Sequence, residues 1–232
     1  VQTLDGKITG LDTRTGARRW TQDSSMPLLS IRGTAGPLLA EGVAYAALAS
    51  GRILALRADS GTVLWEGRVA TPQGQSDIER AVDIEGRPLL IGAEIYAVTF
   101  QGKVAALQAA NGRPVWSRDA SSFNALGAGF GNVYVSGTDG TVAAYETSGG
   151  ALRWQNDQLI RRDLSAPAGV GSYVAVADFE GYVHFLSQTD GRFVARERAD
   201  SDGVRADMIG SGDRLYVYGN DGELSCFSVA AE

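Results

Sequence analysis

The sequence is poor in the residues from which most reactive centres are built. It has one cysteine, one histidine, two methionines and six prolines among 232 residues. A single cysteine excludes an internal disulfide framework. A single histidine, His184, excludes a multi-histidine metal centre and leaves a Ser-His-Asp triad only one possible base. No apolar run approaches the ~18 residues of a membrane-spanning helix. No sustained i, i+3, i+4 apolar pattern occurs, and glycine recurs too often for helices of several turns. A basic stripe is missing too: net charge is −6 with a pI near 4.9. That speaks against a nucleic-acid partner, since phosphate binding needs clustered Lys and Arg. No signal peptide is recognisable, and Val1 falls in what reads as a strand. Cysteine usage leaves the compartment open. Cys226, in the apolar run Leu224-Ser225-Cys226-Phe227, is expected to be a buried, inert thiol.

What the chain has in abundance is glycine, 30 residues of it, and the glycines are spaced. A pattern runs Gly6-Lys7-Ile8 through Gly16 to Trp20, then Gly51-Arg52-Ile53 through Gly61 to Trp65. It recurs as Gly102-Lys103-Val104 through Gly112 to Trp116 and as Gly140-Thr141-Val142 through Gly150 to Trp154. A fifth copy, Gly181-Tyr182-Val183 through Gly191, has Ala195 where Trp is due, and a sixth begins at Gly222. The first glycines lie 45, 51, 38, 41 and 41 residues apart, the period of a four-stranded propeller blade. Alternating runs such as Val43–Leu48 and Ile53–Leu56 supply the strands. Asp-Gly pairs supply tight turns, and short strands near Pro37, Pro88 and Pro167 open new blades.

The fold class expected is therefore all-β, a β-propeller of four-stranded antiparallel blades. Full blades are placed at about 36–70, 87–119, 125–157 and 167–199, with partial blades at 1–24 and 206–232. The missing first strand at one end and missing Trp strand at the other lead to the expectation of a single propeller domain cut from a longer chain. Trp20, Trp65, Trp116 and Trp154 occupy one repeat position and are assigned a structural role between blades, because one blade cannot bury both faces of its sheet.

Chemistry is scarce. Asp12, Asp59, Asp139, Asp190 and Asp221 fall at turns, where an aspartate bonds its own backbone, and His184 is expected to fill a blade. Two segments break the pattern. The connecting loop Met26–Gly33 carries Leu29, Ile31 and Arg32, either a buried crossover or an exposed apolar anchor beside a guanidinium. The insert Gln73–Gly86 carries Asp83 and Glu85 between apolar residues. It reads as a solvated rim loop of the kind on which propellers place function.

The repeat resembles that of quinoprotein-type propellers, and within that group the chain is similar to the BamB family. These are subunits of the outer-membrane β-barrel assembly (BAM) machinery of Gram-negative bacteria. The similarity rests on Leu28-Leu29-Ser30-Ile31-Arg32-Gly33, on the acidic insert from Asp77 to Pro88, and on Asp178–His184 with Asp190–Ala195. It implies an eight-bladed propeller, of which five to six blades are covered here, on the periplasmic face of the outer membrane. A lipid on a cysteine upstream of Val1 would be its only membrane contact. It further implies a non-catalytic scaffold without cofactor or metal that binds the POTRA domains of BamA, with nascent barrel proteins as further partners. The contact residues implied are Leu29, Ile31, Arg32, Asp83 and Glu85; Ile31 stands where leucine is usual and Glu85 where aspartate is usual. The alternative, a dehydrogenase using pyrroloquinoline quinone, needs an axial pocket and usually a vicinal cysteine pair that one cysteine cannot form. A propeller sensor domain is a third possibility.

Overall fold

The computed structural model describes residues 1–24, 35–76 and 79–230. Its secondary structure is all β. The first sheet pairs β1 (Lys7–Leu11) with β2 (Arg18–Asp23). The second holds β3 (Leu38–Ala40), β4 (Val43–Leu48), β5 (Arg52–Arg57) and β6 (Val63–Arg68). The third holds β7 (Leu89–Ile91), β8 (Glu94–Val98), β9 (Gly102–Gln108) and β10 (Pro114–Ala120). The fourth is built from β11 (Gly127–Gly129), β12 (Asn132–Ser136), β13 (Val142–Glu146) and β14 (Leu152–Asn156). The fifth has β15 (Ala168–Val170), β16 (Tyr173–Ala177), β17 (Tyr182–Ser187) and β18 (Phe193–Arg198). The sixth has β19 (Ile209–Ser211), β20 (Arg214–Tyr218) and β21 (Leu224–Ser228). Every pairing is antiparallel between sequential strands, the meander of a propeller blade. The chain forms two compact units, Val1–Phe123 and Asn124–Glu232.

The two middle strands of a blade are apolar on both faces because neighbouring blades cover both. In the first unit Ala46, Leu48, Leu54 and Leu56 pack on Ile8 of the first sheet. The alternate residues Tyr45, Ala47, Ile53 and Ala55 pack on Ile95, Ala97, Ala105 and Leu107 of the third. In the second unit Val174, Val176 and Leu186 meet the fourth sheet, while Ala175, Ala177, Val183 and Phe185 meet Leu215 and Val217 of the sixth. This is how a period-2 pattern becomes a continuous apolar run.

The outer strand carries the tryptophan, and its partner is the second glycine of the following repeat. The Trp20 indole donates Nε1–H to Ala58 O at 2.9 Å, Trp65 to Ala109 O at 2.9 Å, and Trp154 to Gln188 O at 3.0 Å. Three residues beyond each acceptor stand Gly61, Gly112 and Gly191. A Cβ on these would come within 2.6, 2.4 and 2.3 Å of the respective indole. The glycine is thus needed twice over, for a left-handed turn (φ +72° at Gly112) and for the flat ring above it.

Behind Trp65, Trp116 and Trp154 the register forms a row across the blade. Tyr45–Ala55–Trp65, Tyr96–Ala106–Trp116 and Tyr134–Ala144–Trp154 are aligned partners. The Tyr and Trp rings close over the small central alanine, with centroids 5.8 to 5.9 Å apart. In the fifth sheet the row reads Ala175–Phe185–Ala195. One ring in the centre replaces two at the sides, and Phe185 meets Phe227 of the sixth sheet edge-on at 6.4 Å.

Candidate functional site

Each of the connections after β6, β14 and β18 passes along the turns that join second and third strands of the blades it links. It is tied to both neighbours by backbone hydrogen bonds. After β6 the insert returns to the second sheet through Ile84 N–H to Leu48 O (3.4 Å) and reaches the third through Phe100 N–H to Asp83 O (2.9 Å). After β14, Arg161 N–H bonds Asp139 O (3.0 Å) and Phe179 N–H bonds Arg162 O (3.2 Å). After β18, Val204 N–H bonds Asp178 O (3.3 Å) and Asn220 N–H bonds Gly203 O (3.0 Å). These irregular segments therefore lie on the same side of their blades, held by satisfied backbone groups.

Of the residues predicted from sequence to make a binding surface, Leu29, Ile31 and Arg32 lie outside the described residues. Asp83 and Glu85 are described, and their surroundings correct the expectation of a solvated rim loop. Ala81, Val82 and Ile84 are buried, and Asp83 is 0% exposed. Glu85 and Gly86 are half-buried. The cause is the bridging just described. Val82 and Ala70 close over Gly51, where a Cβ would be 2.9 Å from each, and Ile84 joins the core between the second and third sheets. Residues 73–76, 79 and 80 are exposed, and the Glu79 carboxylate accepts N–H bonds from Gln75 (2.8 Å) and Ser76 (3.1 Å). Those two bonds hold its acid below the usual range.

A second correction concerns Cys226, which is exposed. It stands on β21, the outermost strand described in its sheet, whose residues alternate between exposed and half-buried. Asp12, Asp139 and Asp221 bond their own turns as expected. Asp12 accepts from Arg14 and Thr15 N–H, Asp139 from Thr141 N–H and Asp221 from Glu223 N–H, each at 2.9–3.0 Å.

Sequence reasoning missed a polar cluster in the fifth blade. His184 is buried as expected, but its Nε2 lies 2.8 Å from Asp178 Oδ2, and Asp178 is 0% exposed. The same oxygen accepts Arg162 Nε–H at 2.6 Å, while Oδ1 accepts the N–H groups of Glu180 and Tyr182, both at 3.0 Å. Arg162 also pairs with Glu180. Burial alone would raise the Asp178 acid; the bonds from His184, Arg162 and Tyr182 outweigh it and hold it below its ordinary value. For His184, burial pushes the imidazole below its ordinary value against the pull of Asp178. The neutral ring therefore donates its Nε2 proton to the carboxylate. The signal in the sequence was positional. Thr99 holds the equivalent turn of the third blade, its Oγ1 accepting Lys103 N–H at 2.9 Å, and a carboxylate in that place has a second oxygen to fill.

Comparison with known proteins places these features. The profile of the family described as outer membrane protein assembly factor BamB matches residues 1–156 and 138–231. The factor of that name from Pseudomonas aeruginosa is 49% identical over 207 residues, 89% of this chain and 54% of that protein. The one from Burkholderia pseudomallei is 37% identical over 229 residues, 98% of this chain and 60% of that protein. The crystal structure of BamB from Moraxella catarrhalis superposes with a TM-score of 0.87 at 31% identity, covering 97% of this chain and 67% of that one. The chain thus spans little more than half the length of the curated relatives it matches.

Proposed function

The chain belongs to the BamB family of outer membrane protein assembly factors, and from that premise we propose that it serves as a non-catalytic scaffold in β-barrel assembly. In this reading it works on the periplasmic face of the outer membrane, anchored by an N-terminal lipid. It needs no cofactor and binds the POTRA domains of BamA within the BAM complex. The face that binds is the one along which the inter-blade connections run, with Leu29, Ile31 and Arg32 from one connection and Asp83 and Glu85 from the next.

The observation that carries this reading is the clamping of 81–86 between the turns at Leu48 and Phe100. A segment fixed to two blades has little freedom left to lose on association, so a partner meets a prepared surface. The burial of Asp83 divides the labour. Asp83 sets the shape of the connection, and the half-buried Glu85 faces the partner. Apolar anchors at Leu29 and Ile31 gain by leaving water, and Arg32 offers a planar fork for carbonyl or carboxylate oxygens.

Truncating a central anchor costs about 2 kcal/mol, near a thirtyfold loss of affinity. Ile31→Ala and Arg32→Ala should each weaken capture of purified POTRA domains by that order, with the melting temperature unmoved. Asp190→Ala, at the turn between β17 and β18 in the second unit, is the control and should bind as the parent does. Undiminished affinity in the Ile31/Arg32 double variant would refute the assignment of this face.

A further inference from the structure

Beneath the connection between the fourth and fifth blades lies a cleft of about 390 Å³, lined among others by Leu159, Arg162, His184, Phe193 and Arg196. A cleft in the corresponding place of the first unit, about 430 Å³, opens between the second and third blades. The two share an architecture and differ in charge. In the first, the lysine on the inner wall, Lys103, is matched by Asp119 on the facing outer strand, and Ala105 lies on its floor. In the second, the positions in register are Tyr182, Arg198, His184 and Arg196. Among the described residues no carboxylate lines it.

Arg196 is the distinctive group. It forms no ion pair among the described residues, and its guanidinium lies 4.7 Å from the centroid of the Tyr182 ring. Arg198 shares that ring at 5.4 Å. Stacking on an aromatic face holds the planar fork in place and leaves its N–H edge for a planar anion. Arg162, the other guanidinium of the cleft, is taken up by the buried Asp178 and by Glu180, which leaves Arg196 as the cation open to a ligand. Apolar surface lies beside the fork, supplied by the half-buried Phe193 and Val194 of β18, while Leu159 belongs to the core beneath.

We propose that this cleft is a carboxylate-binding site, in which Arg196 receives an acidic side chain of an extended polypeptide whose apolar neighbour lies on Phe193. The site lies in the second unit, apart from Asp83 and Glu85, and stands whether or not the proposed scaffold role does.

His184 reports on the site without a label, because it is the only histidine of the chain. Its imidazole resonances, identified by their loss in His184→Gln, would be followed by NMR across pH. Three blocked peptides serve as probes at millimolar concentration: acetyl-Leu-Glu-Phe-amide, its Gln counterpart, and acetyl-Gln-Phe with a free C-terminal carboxylate. The Glu peptide should raise the His184 titration midpoint, since a nearby anion favours imidazolium. Arg196→Gln should abolish that rise with the melting temperature unchanged, and Arg196→Lys should keep part of it. The proposal is overturned by equal effects of the Glu and Gln peptides, by no effect of the Glu peptide, or by an undiminished response in Arg196→Gln. A response to the free C-terminal carboxylate alone would overturn the side-chain assignment.

Discussion

Gly16 and Gly112 offer a controlled test of what holds one blade to the next. Both are second glycines of their repeats, with φ of +71° and +72°. A Cβ at Gly16 would meet nothing within 4 Å among the described residues, whereas at Gly112 it would sit 2.4 Å from Trp65 Cε3. Alanine at Gly16 therefore meets only the left-handed penalty, roughly 1–2 kcal/mol. That is offset by about 0.4–1 kcal/mol from the stiffer unfolded chain, so the net cost should be about 1 kcal/mol or less. Alanine at Gly112 meets the same terms and an indole that cannot retreat, because its Nε1–H is bonded to Ala109 O and its face to Tyr45. Overpacking adds about 1–3 kcal/mol. Trp65→Ala alone should cost about 3–5 kcal/mol. Once the indole is gone, Gly112→Ala should cost no more than Gly16→Ala. The double variant should then be about 1–3 kcal/mol less destabilised than the sum of its singles. Urea denaturation followed by circular dichroism measures all four, provided the slopes agree. Equal costs at Gly16 and Gly112, or an additive double variant, would refute the reasoning.

Two further outcomes are expected beyond those already set out for the connecting-loop face and the fifth-blade cleft. The folded His184 titrates below its unfolded value of about 6.5, so the unfolded chain binds more protons between the two. Stability should be full above that window and fall as pH drops through it, and thermal melts from pH 7.5 to 5.5 should show the decline in the parent and not in His184→Gln. Cys226 should react with a thiol reagent in the folded chain at a rate close to that in denaturant, in contrast to the blocked thiol expected of a core position.

The blades were legible because the repeat carries its own geometry. Four tryptophans at one position and glycines at fixed intervals tolerate few other folds. The reason for the second glycine was not legible, since the ring that demands it comes from the preceding blade, some 40 residues earlier. The alternation Val82-Asp83-Ile84-Glu85 reads as a half-exposed strand, yet these residues belong to no sheet. Two neighbouring turns enclose them, and Asp83 is buried along with the apolar residues on either side. In the fifth blade His184 was correctly placed inside. What escaped notice was that Asp178 at the turn needs Arg162 from a connecting segment to complete its four hydrogen bonds.

The exchange of Tyr–Ala–Trp for Ala–Phe–Ala in the fifth blade bears on how such a protein can evolve. A third blade grafted in place of the fifth would bring an indole to a neighbour prepared for a phenyl ring. The reverse graft would leave one ring in a row that now holds two. The two rows also cannot interconvert by single steps, because adding Trp at position 195 crowds Phe185 and losing Phe185 first empties the row. Recombination that duplicates, deletes or shuffles repeats is therefore filtered at the junctions. Sequences that began as copies have become addressed parts, each fitted to the blade that follows it.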